Sequence, residues 1–123
     1  YARLFEQFTV EVVPGVSSVM ASAARASQPL VARNEVMTVI PGPLEAADMR
    51  ARIETADSIV IMKVGRHLAK IRALLAELGL EARAKYIERA TLAEEVVLPL
   101  SEAPETAPYF SMILITKGAD PWL

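Results

Sequence analysis

Three stretches of this 123-residue sequence place polar or charged side chains directly after strand-like runs: Glu11 to Ser18, Ile61 to His67 and Tyr86 to Thr91. Turns of this kind are where chemistry is expected, because ligands of α/β sheets bind just beyond the carboxyl ends of strands, where backbone groups are free of ladder bonds. If the turns converge, Lys63, Arg66 and Arg89 form a cationic group able to hold an anion, against the rival reading of solvated surface charge. Ser17 and Ser18 read first as helix caps and second as a carboxylate site at a helix start. Met62 ends an apolar run and, on its residues alone, reads as packing. His67, in the first turn of a helix, reads as a partly exposed surface residue, and Glu94 and Glu95 read as exposed strand-edge carboxylates. No serine has His and Asp partners at triad spacing and no glycine-rich phosphate loop occurs, so the residues alone specify no self-contained catalytic device.

The elements that must position these turns follow from periodicity. Thr9 to Val13 is expected as a short strand ending at Pro14-Gly15. A helix follows, with Val16, Val19, Met20 and Ala23 at i, i+3, i+4 and i+7 as its apolar face, then a loop from Ala26 to Asn34. Val36 to Ile40 reads as a strand, Leu44 to Thr55 as a helix with Pro43 suited to its first position, and Ser58 to Val64 as a strand buried on both faces. Leu68, Ile71, Leu74, Leu75 and Leu78 form one stripe of a helix over about Arg66 to Leu78, with Gly79 placed to end it. Three strands close the chain, Ala84 to Arg89, Glu95 to Leu100 and Phe110 to Thr116. Their short links favour antiparallel pairing, whereas the earlier strand-helix-strand units favour parallel pairing. The expectation is an α/β fold: a mixed parallel and antiparallel sheet of about five to six strands flanked by helices. Tyr109 and Phe110 read as a strand end in the core or at a subunit contact.

Composition excludes several classes. With 53% hydrophobic and 23% charged residues the chain is too apolar for a disordered segment, and one domain of this length can bury a sizeable core. There is no cysteine and a single histidine, which excludes disulfides, thiolate metal sites and a His-cluster site within this chain and points to the cytoplasm. A net charge of −2 gives no footprint for nucleic acid, and no apolar run approaches the roughly 20 residues needed to span a bilayer. Tyr1 to Gln7 reads as the end of a helix already under way, so the chain is expected to begin inside a larger protein.

The motifs Val13-Pro14-Gly15-Val16-Ser17-Ser18, Met62-Lys63-Val64-Gly65-Arg66-His67, Glu88-Arg89-Ala90-Thr91 and Pro108-Tyr109-Phe110-Ser111-Met112 resemble, in order, spacing and type, the C-terminal domain of the tetrapyrrole methylases. The resemblance covers nearly the whole chain and implies that residues 1–123 are the C-terminal domain of a two-domain S-adenosylmethionine-dependent methyltransferase, with the N-terminal domain outside this sequence. It further implies a donor held between the two domains, a reduced tetrapyrrole as acceptor, and a homodimer. The family's glycine-rich donor loop comes from the first domain, and no Gly-x-Gly-x-Gly occurs here. By the same resemblance Met62, Ala90 and Thr91 contact the donor, and Lys63, Arg66, Arg89 and Ser17 are candidates for the acceptor's carboxylates. Two departures stand out: Ala90 replaces the glycine of a Gly-Thr pair, and Lys63 stands where glycine is common.

Overall fold

Ile59 to Ile61 lies where a continuous apolar run belongs, inside a sheet covered on both faces. The computed structural model describes residues 2–118. Its strands are β1 (Met37–Pro41), β2 (Ser58–Met62), β3 (Ala84–Glu88), β4 (Val96–Pro99) and β5 (Ser111–Thr116), and its helices are α1 (Ala2–Phe5), α2 (Ser18–Arg25), α3 (Ala46–Thr55) and α4 (Leu68–Glu77). The strands form one five-stranded sheet in the order β1-β2-β5-β3-β4, the mixed sheet expected from the sequence.

β1 and β2 are parallel, Met37 facing Ser58, while β3 and β4 are antiparallel, Ile87 facing Val97. β5 runs antiparallel between β2 and β3, with Leu114 opposite Val60 and Ile113 opposite Tyr86. β2 and β3 therefore point the same way, as their strand-helix-strand unit requires, yet β5 separates them. Met112 to Ile115, all buried, is the run best suited to that central position.

Alternation along the strands sorts the core into two layers. Ile40, Ile59, Ile61, Tyr86, Ile113 and Ile115 face α3 and α4, which contribute Met49, Ile53, Leu68, Ile71, Leu74 and Leu75. Val60, Ile87, Met112 and Leu114 face α2, which contributes Val19 and Ala23. Each fully buried aliphatic side chain of this kind contributes roughly 1.5–3 kcal/mol. α4 stops as its sequence dictates: Gly79 adopts φ +67, its N–H donates to the Ala76 carbonyl, and the Leu80 N–H donates to Leu75, the reciprocal pair that closes a helix at a left-handed glycine.

Several expectations are corrected. Thr9 to Val13 is not a strand; Thr9, Val12 and Val13 are exposed, and among the described residues none pairs with the segment. Its apolar composition signals a surface to be covered, and a strand needs a neighbour that the sheet order does not supply. α2 starts at Ser18, and its buried stripe is Val19, Ser22 and Ala23, continued by Ala26; Val16, which precedes the helix, and Met20 are 82% and 51% exposed. Pro43 lies in the turn before α3, whose N-cap is Glu45, and the expected Arg66 to Leu78 helix opens with a separate 3-10 turn, Gly65–His67. Tyr109 and Phe110 are exposed, which sets aside the core alternative of their reading but not the subunit contact, and they meet edge to face at 5.3 Å. Of the expected helical start, Tyr1 lies outside the described residues.

Candidate functional site

The strand directions bring the carboxyl ends of β2 and β3 and the start of β5 to one edge of the sheet. Both β2 and β3 end by turning sharply: Lys63 has φ +55 and Arg89 φ +49, left-handed conformations that cost a non-glycine residue on the order of 1–3 kcal/mol. The turns are fastened by backbone bonds, the Arg89 N–H donating to Phe110 O at 2.9 Å and the Gly42 N–H to Met62 O at 2.7 Å. These turns explain why both strands stop earlier than their apolar runs suggested. Strain of this kind concentrates where a side chain or a carbonyl is being aimed.

Between the turns lies an open cleft of about 360 Å3. Its floor is apolar, made by Met62, Ile87 and Met112, and Tyr109 and Phe110 stand exposed at its rim. Ser18 and Ser22 of α2 complete one side. Of the residues singled out from the sequence, Met62, Lys63, Arg89 and Ala90 line this cleft together. Thr91 is exposed, one residue beyond the lining, at φ +70. Ser17 caps α2, its hydroxyl oxygen accepting from the Met20 N–H at 3.4 Å, and the cleft is lined by its neighbour Ser18 instead. Arg66 and His67 sit in the 3-10 turn outside the cleft lining, so the expected cationic group is reduced to Lys63 and Arg89.

Sequence reasoning missed two carboxylates. Glu95 is not an exposed strand-edge residue: it accepts from Arg25 Nε at 2.7 and 2.9 Å and from the Thr91 N–H at 2.6 Å, tying α2 to the turn after β3. Glu88, buried at the end of β3, accepts from the Tyr86 hydroxyl and from Arg89. Glu88 was visible only as part of a motif. Arg25 and Glu95 are 70 positions apart, which no local signal joins.

The Thr91 amide, and after it the Arg25 guanidinium, hold the Glu95 carboxyl below the usual glutamate range. A depressed folded-state pKa means that the unfolded chain binds the proton more readily, so the latch stabilises the fold above the ordinary glutamate value. The stability advantage of the wild type over Glu95→Gln should therefore be constant above pH 4.5, the reference value, and shrink as the pH falls through the lower folded-state value. Urea midpoints of the two proteins measured across that range test this; a difference that does not change with pH would remove the latch.

The sequence profile described as "Tetrapyrrole (Corrin/Porphyrin) Methylases" matches residues 1–104, most of the chain. The chain belongs to the tetrapyrrole methylase family. Among tetrapyrrole methylases it is 40% identical over 121 residues to a precorrin-2 C(20)-methyltransferase of Sinorhizobium sp, covering 98% of this chain and 49% of that protein. It is also 40% identical over 111 residues to a cobalt-precorrin-2 C(20)-methyltransferase of Salmonella typhimurium, covering 88% of this chain and 47% of the relative. The chain thus spans about half the length of these curated relatives. A crystal structure of uroporphyrin-III C-methyl transferase from Thermus thermophilus complexed with S-adenyl homocysteine superimposes with a TM-score of 0.58 at 29% identity, covering 90% of this chain and 54% of that one. The tetrapyrrole methylase fold expected from the motifs is the fold observed. Among the described residues no helix is long and apolar enough to cross a membrane, and no cluster of three metal-ligating side chains occurs.

Proposed function

We propose that this chain is the C-terminal domain of an S-adenosylmethionine-dependent methyltransferase that methylates precorrin-2 at C20 in cobalamin biosynthesis, acting in the cytoplasm as a homodimer. The observation that carries the reading is the 40% identity, over nearly the whole chain, to a precorrin-2 C(20)-methyltransferase. The cleft supports it. Its apolar floor of two thioethers and an isoleucine suits a nucleoside thioether, and its rim carries cations where a polycarboxylate would lie. When bound, S-adenosylmethionine supplies an electrophilic methyl group on its sulfonium.

In this reading the chain's residues position reactants and exclude water. Met62, with Ile87 and Met112, forms the dry floor, and Ala90 has a side chain small enough to let the main chain approach the donor, with Thr91 beside it. Lys63 and Arg89 hold carboxylates of the acceptor so that its nucleophilic carbon faces the donor in line. Fixing two reactants in this way can supply much of a rate enhancement, on the order of 7–11 kcal/mol in favourable cases. Ser17 acts through the α2 cap, and Arg66, in the 3-10 turn that follows Lys63, lies outside the cleft lining.

A second reading keeps the cleft and changes the acceptor position, to uroporphyrinogen or another precorrin, favoured by the 29% identity to a uroporphyrin-III C-methyl transferase. Product analysis separates the two. The intact polypeptide, given labelled S-adenosylmethionine and precorrin-2 or its cobalt form, should place label at C20 and leave uroporphyrinogen III unmethylated. Label at another carbon, or on uroporphyrinogen alone, would select the second reading.

A further inference from the structure

Neighbouring residues of a strand point to opposite faces, so Glu88 and Arg89 should be unable to meet. They meet because the chain turns left-handed at Arg89, φ +49, immediately after the last ladder position, where Glu88 lies opposite Ser111 and Val96. The Arg89 N–H is fixed to Phe110 O at 2.9 Å, and its Nη1 donates to Glu88 Oε1 at 2.5 Å. The other oxygen, Glu88 Oε2, accepts from the Tyr86 hydroxyl at 2.8 Å. Tyr86 and Glu88 are two residues apart on one strand and so share a face, and Tyr86 is fully buried. Burial first, and the Glu88 carboxylate second, push the Tyr86 phenol far above its ordinary value, so it remains a proton donor. The carboxylate is thereby held at both oxygens, while the Arg89 guanidinium has no other hydrogen-bond or ion-pair partner among the described residues, and Arg89 lines the cleft.

A buried carboxylate is costly to desolvate and is a poor source of stability. Here its geometry does something an apolar residue could not. We propose that Tyr86 and Glu88 are positioning residues for Arg89: Tyr86 fixes Glu88, and Glu88 grips one edge of the guanidinium so that the remaining N–H donors present a preset fork to a carboxylate of the ligand in the cleft. This rests on the cleft being the ligand site proposed above. Fixing the fork in advance removes the rotamer entropy that a free arginine would lose on binding. The carboxylate can come from the aminoacyl end of the methyl donor or from an acetate or propionate of the tetrapyrrole.

The test uses the intact polypeptide and equilibrium binding of three probes: S-adenosylhomocysteine, 5′-methylthioadenosine, which lacks the carboxylate, and uroporphyrin, an octacarboxylate. Arg89→Ala should weaken a carboxylate-bearing probe about thirtyfold, and Glu88→Gln about tenfold, in the range of charge-assisted hydrogen bonds. The double variant should be no weaker than Arg89→Ala alone, because Glu88 acts through Arg89. Tyr86→Phe, which removes one hydroxyl, should give a smaller loss in the same direction and serves if Glu88→Gln fails to fold. Loss for S-adenosylhomocysteine with 5′-methylthioadenosine unchanged assigns the donor carboxylate; loss for uroporphyrin assigns the acceptor. Losses from Glu88→Gln and Arg89→Ala that add in the double variant, or all affinities within twofold of wild type, would overturn the proposal. If these losses appear but the wild type places no methyl at C20, the assigned reaction falls and the positioning role stands.

Discussion

S-adenosylhomocysteine should bind this chain at least about a hundredfold more weakly than it binds a polypeptide in which the proposed N-terminal domain precedes Tyr1, as measured by isothermal titration of both. In the proposed reading the cleft is one wall: its floor is apolar, and its rim is open, with Leu92, Tyr109 and Phe110 more than half exposed. A ligand seated there alone leaves one side in water. A hundredfold in affinity is about 2.8 kcal/mol, which at about 25 cal/mol per Å2 requires roughly 110 Å2 of additional apolar burial. That is less than one aromatic side chain buries, so a second wall of ordinary size accounts for it. The ordering of the exposed rim by the incoming domain would add to the gain. Equal affinity for the two proteins would mean that the donor does not sit between domains, and the split-site reading would fail.

The parts of this picture that were legible in the sequence are those fixed by local pattern. The unbroken apolar run Ile59 to Met62 could only be an inner strand, the Leu68 to Leu75 stripe could only be a helix facing a core, and Gly79 marked its end by a conformation that glycine adopts readily. That the turns carrying Lys63 and Arg89 could converge followed from placing strand ends, since parallel strands deliver their carboxyl ends to one edge; Met62, on its residues alone, read as packing, and Met62 and Ala90 entered as site residues through the family resemblance. What escaped depended on partners distant in sequence or on backbone turns. Thr9 to Val13 is apolar enough for a strand, but composition reports that a surface should be covered, not what covers it. The latch from Arg25 through Glu95 to Thr91 joins elements separated by most of the chain. The pairing of Glu88 with Arg89 contradicts strand alternation and exists only because Arg89 is left-handed. Lys63, noted in the sequence as a departure from a glycine-rich pattern, proves to adopt a backbone conformation that glycine would adopt more easily.

The substitution Gly42→Ala should destabilise the fold by about 1–3 kcal/mol, the range for forcing extra volume into a packed interior, and should weaken donor binding as well. A Cβ built on Gly42 would lie 2.6 Å from the Lys63 carbonyl oxygen and 3.2 Å from that of Met62. These are backbone atoms at the end of β2, with no side-chain rotamer that can swing aside. Relief by moving the other partner is also restricted: Gly42 stands between Pro41 and Pro43, its N–H is bonded to Met62 O at 2.7 Å, and the Lys70 ammonium donates to its carbonyl at 2.9 Å. The strand end must therefore shift, carrying Met62 and Lys63 away from the cleft they line. In thermal melts of a small domain each kcal/mol corresponds to roughly 4–8 °C, so the loss is readily measured. Gly15→Ala is the control, because nothing lies within 4 Å of its built Cβ and its φ is not positive; it should change stability by no more than about 0.5 kcal/mol. If Gly42→Ala melts with the wild type and binds S-adenosylhomocysteine equally well in the intact polypeptide, the close approach of the two turns does not shape the cleft. If it lowers the melting temperature but spares binding, Lys63 and Met62 are not held where the ligand needs them by this contact.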